Sequence, residues 1–149
     1  MDFFKELGSN FVLWTAICGW FAAQVIKFIL VLAIDRDIDF HRLVGSGGMP
    51  SSHTAIVTAM SVAVGLTEGF SSVDFAISVI ISFVVMYDAC GVRRSAGEHA
   101  KILNKIMSKE GINLTDRETL KELLGHSPLE VFAGAILGIL VAVIAYQIR

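Results

Sequence analysis

Charged residues are scarce in this chain of 149 residues: they make up 17% of it, against 54% for hydrophobic residues. A soluble domain carries about a quarter of its residues as charges, so this composition excludes that class. The chain also lacks a disulfide framework, because Cys18 and Cys90 both fall in apolar runs and are expected to be small buried hydrophobic residues. It has no internal repeat and no low-complexity tract. We therefore expect a single membrane domain spanning 1–149.

The apolar residues form four runs, at about 11–34, 53–70, 75–92 and 128–146. Each approaches the length of about 20 residues that a helix needs to cross a bilayer. No positively charged segment precedes the first run, so we expect it to be retained rather than cleaved as a signal peptide. The sequence therefore predicts an all-α integral membrane bundle of four transmembrane helices.

A polar insertion occupies residues 95–125, between the third and fourth runs. Its first part, 98–109, carries apolar residues at helical spacing with lysines opposite, which predicts an amphipathic helix at the membrane surface. Thr115 and Glu118 have the spacing of a capping box and predict a second short helix that ends at Leu124.

Positive charge is concentrated on one side of the predicted bundle. The loops 35–52 and 93–127 hold nine of the twelve lysines and arginines. The positive-inside rule places both loops in the cytoplasm. We therefore expect a multi-pass protein of the cell membrane with its chemistry facing the cytoplasm.

The first loop begins with Asp35, Asp37 and Asp39, an arrangement also found at the start of calcium-binding loops. The sixth position of such a loop is a glycine and the twelfth a glutamate, but here Phe40 and Ser46 occupy them. A solvated acidic loop is the better interpretation, and no metal site is expected.

Three segments on the cytoplasmic side carry groups suited to phosphoryl transfer. The loop 47–53 is rich in glycine and enters a helix, and Gly48 and its neighbours can bind an anion there through backbone N–H groups. Arg93 and Arg94 can each hold phosphate oxygens bidentately. His126 precedes Glu130 by four residues, so both lie on one face of a helical turn. Two histidines with clustered cations suit phosphoryl transfer. One imidazole can attack the phosphorus atom and the other can protonate the leaving group, while the cations stabilise the transition state.

Two charged residues fall inside or beside the apolar runs, where charge is costly. Lys27 either faces a cavity or extends its side chain to the membrane interface. Asp88 is expected to support the site by pairing with Arg93 or Arg94 and aiming its guanidinium.

Structural explanations stay open for the same residues. Glu130 has the position of a helix cap, because Ser127 and Pro128 begin the helix before it. His53 can be a helix-start residue, and the arginine pair a plain positive-inside anchor.

The segments resemble the type 2 phosphatidic acid phosphatases and their vanadium haloperoxidase relatives, most of all the small divergent branch of that superfamily. Pro50-Ser51-Ser52-His53 is similar to the family's Pro-Ser-Gly-His motif. His126 with Glu130 is similar to its histidine followed four residues later by aspartate. The resemblance implies that His126 is a nucleophile forming a phosphohistidine, that Glu130 supports it and that His53 is the general acid. The predicted phosphate-binding set is Lys27, Gly48, Ser51, Ser52, Arg93 and Arg94.

The chain departs from the family pattern at several positions. Ser52 stands where the family has glycine, and no Arg-Pro follows Lys27, so Arg36 or Arg42 would have to substitute. The insertion also separates the arginine pair from His126.

A rival alignment pairs Arg93 with His99, at the spacing that the family shows between arginine and histidine. It then places Leu103 where the acidic residue should stand, so we favour His126.

The predicted function is metal-independent hydrolysis of a phosphate monoester on a lipid or isoprenoid alcohol at the inner leaflet. Phosphatidylglycerophosphate and phosphatidic acid are the substrates that this side favours. We expect no cofactor, inhibition by vanadate and no nucleic-acid partner, and the sequence leaves a homo-oligomer open. The alternative is a catalytically silent membrane protein that binds phospholipid headgroups or a partner through the same basic site. A small transporter is disfavoured, because no inverted repeat is present.

Overall fold

The computed structural model describes residues 2–35, 48–109, 120 and 125–149, except the side chains of residues 34 and 35. Over these residues the chain is helical. The helices are α1 (Phe3–Gly8), α2 (Phe11–Asp35), α3 (Ser52–Glu68), α4 (Val73–Cys90), α5 (Val92–Lys109) and α6 (Pro128–Gln147). The all-α prediction is therefore confirmed for the described part of the chain.

Three helical stretches are long and apolar enough to cross a membrane: Phe11–Ala33, Val73–Lys109 and Pro128–Gln147. Only 17–22% of each apolar stretch is buried inside the protein, so most of its side chains need a lipid environment. The predicted run 53–70 folds as α3, which has 17 residues and is not among the three.

Helix α3 is the centre of the bundle and packs against α2, α4 and α6. Its buried residues are small: Ser52, Thr54, Ala55, Ala59, Ser61, Ala63 and Gly65. Gly19 of α2 and Gly138 of α6 lie against the same two turns of α3, where an added Cβ would come within 3.0 Å of Ala55 or Ala59. Small residues at the contacts let the helix backbones approach closely, as helices do in lipid.

Serine side chains join α3 to α4 inside the bundle. The hydroxyl oxygens of Ser61 and Ser82 are 2.8 Å apart, and Ser82 donates to the carbonyl of Val57. Such bonds keep hydroxyl groups satisfied where water is absent.

Two parts of the chain differ from the predicted boundaries. Phe3–Gly8 forms α1 ahead of the first predicted run, and Phe3, Phe4 and Leu7 recur there at helical spacing. The amphipathic helix begins at Val92 rather than Glu98, which places the arginine pair in its first turn. The predicted second helix of the insertion, 115–124, lies outside the described residues.

Candidate phosphoryl-transfer site

The turn that carries His126 packs directly on the junction between α4 and α5. The backbone N–H of His126 donates to the carbonyl of Ala89, at 2.9 Å. Gly125 has φ +95°, and a Cβ there would overlap the backbone of Arg93 and Arg94. Only glycine fits both constraints. The two ends of the insertion, at Arg94 and at Gly125, are therefore in contact.

The imidazole of His126 is held by the carboxylate of Glu130. The ring is 2% exposed, and its Nδ1 lies 3.0 Å from Glu130 Oε2. The same oxygen accepts the backbone N–H of Ser127, whose hydroxyl in turn accepts the N–H of Glu130. The capping box and the imidazole support are therefore one arrangement, so the two explanations left open by the sequence hold together.

This arrangement fixes the tautomer of His126. Because a carboxylate accepts at Nδ1, that nitrogen carries the proton and Nε2 presents a lone pair. Nε2 is buried and has no hydrogen-bond partner within the described part of the chain. Burial lowers the pKa of His126 below 6.5, against the raising effect of the hydrogen bond and charge of Glu130. The ring is therefore neutral at pH 7 and suited to attack an electrophile.

His53 brings a second imidazole to the same place from the first turn of α3. The two ring centroids are 6.2 Å apart, with an angle of 59° between the ring planes. His53 is exposed whereas His126 is buried. The two rings therefore form a pair in which one is fixed and the other is accessible.

The start of α3 supplies hydrogen-bond donors beside the two rings. The Ser51 hydroxyl oxygen accepts from both the N–H and the hydroxyl of Thr54, so the hydrogen of the Ser51 hydroxyl remains to be donated elsewhere. The N–H of Ser51 donates to the carbonyl of Glu130, at 2.9 Å. The N–H groups of Ser52 and His53 are the first of the helix and lie outside its internal ladder, which favours an anion there.

Cations surround the pair of rings. Lys27 is 5% exposed and interacts electrostatically with Glu130 and both histidines. The positive charge of Arg93 interacts electrostatically with both imidazole rings. Its Nε donates a hydrogen bond to Asp88, which is the pairing expected for that acid. Lys27 therefore faces the protein interior, the first of its two predicted placements.

Comparison with known proteins identifies the family of the chain. The sequence profile of the divergent PAP2 family matches residues 8–141. The chain belongs to the divergent PAP2 family. The uncharacterized membrane protein YuiD of Bacillus subtilis (strain 168) is 42% identical over 154 residues, which cover 95% of this chain and 98% of that protein. No solved structure matches the chain.

Membership in the divergent PAP2 family confirms the predicted resemblance, and PAP2-like proteins include phosphatases. With its similarity to YuiD and its candidate spans, the chain is a membrane protein.

The other predicted phosphate-binding residues lie at the starts of α3 and α5 or just before them. Arg94 has an exposed side chain, and its backbone contacts Gly125. Gly48 is exposed, with φ +89°. Ser52 is buried at the first position of α3. The rival His99 is exposed on α5. The loop that carries the acidic cluster and the two candidate substitute arginines lies outside the described residues.

The site of this divergent PAP2 protein also uses groups that the sequence analysis missed. These are the carbonyl of Ala89, which accepts the N–H of His126, and the hydroxyl of Thr54, which donates to Ser51. No sequence pattern marks either group as part of a site. Gly134 lets α6 approach α3, because a Cβ there would overlap the Ser51 carbonyl. A glycine four residues after Glu130, on the same helix face, is the signal that could have revealed this contact. Among the described residues, no group of three potential metal ligands is found.

Proposed function

We propose that this protein is a membrane phosphatase that hydrolyses a lipid or isoprenoid phosphate monoester at the inner leaflet through a phosphohistidine. One observation carries the proposal. Nε2 of His126 is buried, has no hydrogen-bond partner among the described residues and belongs to a ring that Glu130 orients. The centroid of the His53 ring lies 6.2 Å from the centroid of this ring.

In the first step, the Nε2 lone pair of neutral His126 attacks phosphorus. The bond between phosphorus and the alcohol oxygen breaks, and His53, which takes up a proton when the anionic ester binds beside it, gives that proton to the alcohol oxygen. The alcohol leaves, and His126 carries the phosphoryl group. Glu130 stabilises the positive charge that develops on the imidazole, because it already accepts the Nδ1 proton.

In the second step, water attacks the phosphohistidine. His53, now neutral, takes a proton from that water as the bond between phosphorus and Nε2 breaks. Inorganic phosphate leaves, and both rings return to their starting protonation states. One histidine thus serves as acid and then as base, as microscopic reversibility requires.

The three phosphoryl oxygens would be held by the groups around the rings. Lys27 and the Nη groups of Arg93 supply positive charge, and the Ser51 hydroxyl and the N–H of Ser52 supply donors at the start of α3. Asp88 holds the Arg93 guanidinium, and the capped start of α3 holds the Ser51 and Ser52 donors, so these groups need little reorganisation to stabilise the transition state.

The proposed topology has four crossings, with α3 as the fourth. Its 17 residues span about 25 Å, near the lower limit for a transmembrane helix. The concentration of lysine and arginine in the loops 35–52 and 93–127 supports a cytoplasmic orientation. A site at that membrane face lets the tail of the substrate stay in lipid. Phosphatidylglycerophosphate and phosphatidic acid are the substrates we favour.

The test is phosphate release by the purified protein in detergent, with a panel of lipid and isoprenoid phosphates. We expect release from at least one of them and inhibition by vanadate, which adopts the five-coordinate geometry of the transition state. Release should persist in a metal chelator. If no substrate is turned over but lipid phosphates still bind, the protein is a headgroup-binding module and the enzymatic proposal is wrong.

A further inference from the structure

Helix α5 has three distinct faces. Gly97 and Ala100 are buried, and Asn104 on the same face exchanges two hydrogen bonds with the backbone of Leu120. This inner face holds α5 to the protein, and α4 is the only described helix that it contacts. The rest of its circumference is not covered by any described helix.

An apolar stripe adjoins the inner face and is open to the surroundings. Ile102, Leu103 and Ile106 are 56%, 48% and 50% exposed. They occupy neighbouring positions on successive turns of the last half of the helix. Exposed apolar side chains grouped in this way mark a contact with a partner or a membrane.

A lysine stripe borders the apolar stripe on its other side. Lys101, Lys105 and Lys109 follow one another at intervals of four residues and are all exposed. The single acid among them is Glu98, one turn before the first two. Helices α4 and α5 together form the candidate stretch Val73–Lys109, and the apolar part of that stretch is α4. Helix α5 begins two residues after α4 ends, so a span formed by α4 would leave the start of α5 at the membrane boundary.

We propose that α5 lies in the membrane interface, where its apolar stripe enters the acyl boundary and its lysine stripe binds anionic phospholipid headgroups. Charge complementarity and continuity with α4 select lipid rather than a second protein as the occupant. Long lysine side chains can extend from the edge of the apolar stripe to the headgroups. This inference does not depend on catalysis.

The test uses the full chain in nanodiscs of phosphatidylcholine with and without phosphatidylglycerol. In a background with Cys18→Ala and Cys90→Ala, a bimane label is attached at Ile106→Cys and, as matched control, at Ser108→Cys on the opposite face of α5. We expect spin-labelled lipid to quench the label at position 106, and aqueous iodide to quench the one at 108. Equal quenching by iodide at both positions would overturn the proposal.

The lysine stripe is tested in the same label. With phosphatidylglycerol present, each lysine replaced by glutamine should lower the ratio of inserted to released α5 roughly fivefold. Without phosphatidylglycerol, the replacements should change little. If lipid quenching does not change when the lysines are replaced or when phosphatidylglycerol is left out, the anionic headgroup site is rejected. Circular dichroism and size exclusion confirm that each variant is folded, so a negative result is informative.

Discussion

The two junctions that meet at the site have similar parts in a different order. Before α3, the chain runs from Gly48, with positive φ, to the cap Ser51 and then to His53. Before α6, it runs from Gly125, also with positive φ, to His126 and then to the cap Ser127. A histidine inside its helix is left exposed, whereas a histidine before its cap is buried against the neighbouring helices.

This difference of order supports the roles that we propose for the two histidines. The carboxylate that caps α6 also reaches back to the ring before the cap, so His126 is fixed and neutral. His53 has no such carboxylate on its own turn and faces outward, where a leaving group and water can reach it. The comparison predicts that His126 acts in every turnover as the nucleophile, and that the need for His53 in the first step depends on the leaving group.

The largest effect is expected for His126→Ala. Loss of a nucleophile lowers turnover by roughly 10⁴-fold or more. A binding module would lose only one charge-assisted contact, about 1.5–3 kcal/mol. The measurement is phosphate release together with trapping of an acid-labile phosphoryl group on the protein. Substantial turnover in the variant, or a trapped phosphoryl group that survives the substitution, would place the nucleophile elsewhere.

The next effect is expected for His53→Ala. Loss of a general acid slows the reaction by about 10²–10⁴-fold for an alkyl phosphate. An aryl phosphate has a leaving group that needs no proton, so most of that loss should disappear in the first step. The burst of alcohol release in the first turnover measures the difference for each substrate, because His53 is still needed as the base in the second step of both reactions.

His99→Ala is the matched control for His53→Ala, because His99 is exposed on α5. It should leave both rates unchanged. A loss at His99 equal to that at His53 would favour the rival alignment instead.

A smaller effect is expected for Glu130→Gln, which can keep the cap but loses the charge beside His126. Losing a hydrogen bond to a charged group costs about 1.5–3 kcal/mol, which corresponds to a rate lower by roughly 10–100-fold. The attacking ring must be neutral, so kcat/KM falls as pH drops through the pKa of His126, which burial holds below 6.5. Because Glu130 raises that pKa, its loss should move the acid limb to lower pH while the plateau falls.

The parent and Glu130→Gln are compared on one substrate, so that the ionisation of the phosphate ester itself cancels. An acid limb that stays in place would mean that His126 is not the titrating group. The same pKa direction has a consequence for stability. The unfolded chain binds a proton at His126 at higher pH than the folded chain does. The free energy of unfolding therefore decreases as the pH falls from 6.5 towards the pKa of His126 in the folded state.

The sequence was sufficient for the long apolar helices and for the contact between His126 and Glu130. Composition and run length predict apolar helices, and the spacing of His126 and Glu130 predicts their contact, because both depend on local periodicity. It misplaced the start of α5, because Arg93 and Arg94 look like the end of a span when only charge is considered.

Backbone contacts between distant segments could not be predicted from one sequence. The family arginine normally stands just before the histidine, and here an insertion separates the two. The contact of Gly125 with the backbone of Arg94 brings the arginine pair and His126 close together in the fold. Nothing in the insertion indicates this closure, because a glycine before a histidine is equally compatible with an ordinary turn.

The smallest effect is expected for Gly134→Ala, which tests whether the two junctions depend on each other. The added Cβ would overlap the Ser51 carbonyl, so α6 must move away from the start of α3. Overpacking of this kind costs about 1–3 kcal/mol.

The displacement should also weaken the bond from Ser51 N–H to the Glu130 carbonyl, which joins the two capped turns. Thermal unfolding in detergent measures the first effect and kcat the second. Gly8→Ala is the control, because a Cβ there meets nothing within 4 Å. If Gly134→Ala unfolds at a lower temperature but keeps its full kcat, α6 and α3 position their histidines independently, and the bond between their first turns serves stability alone.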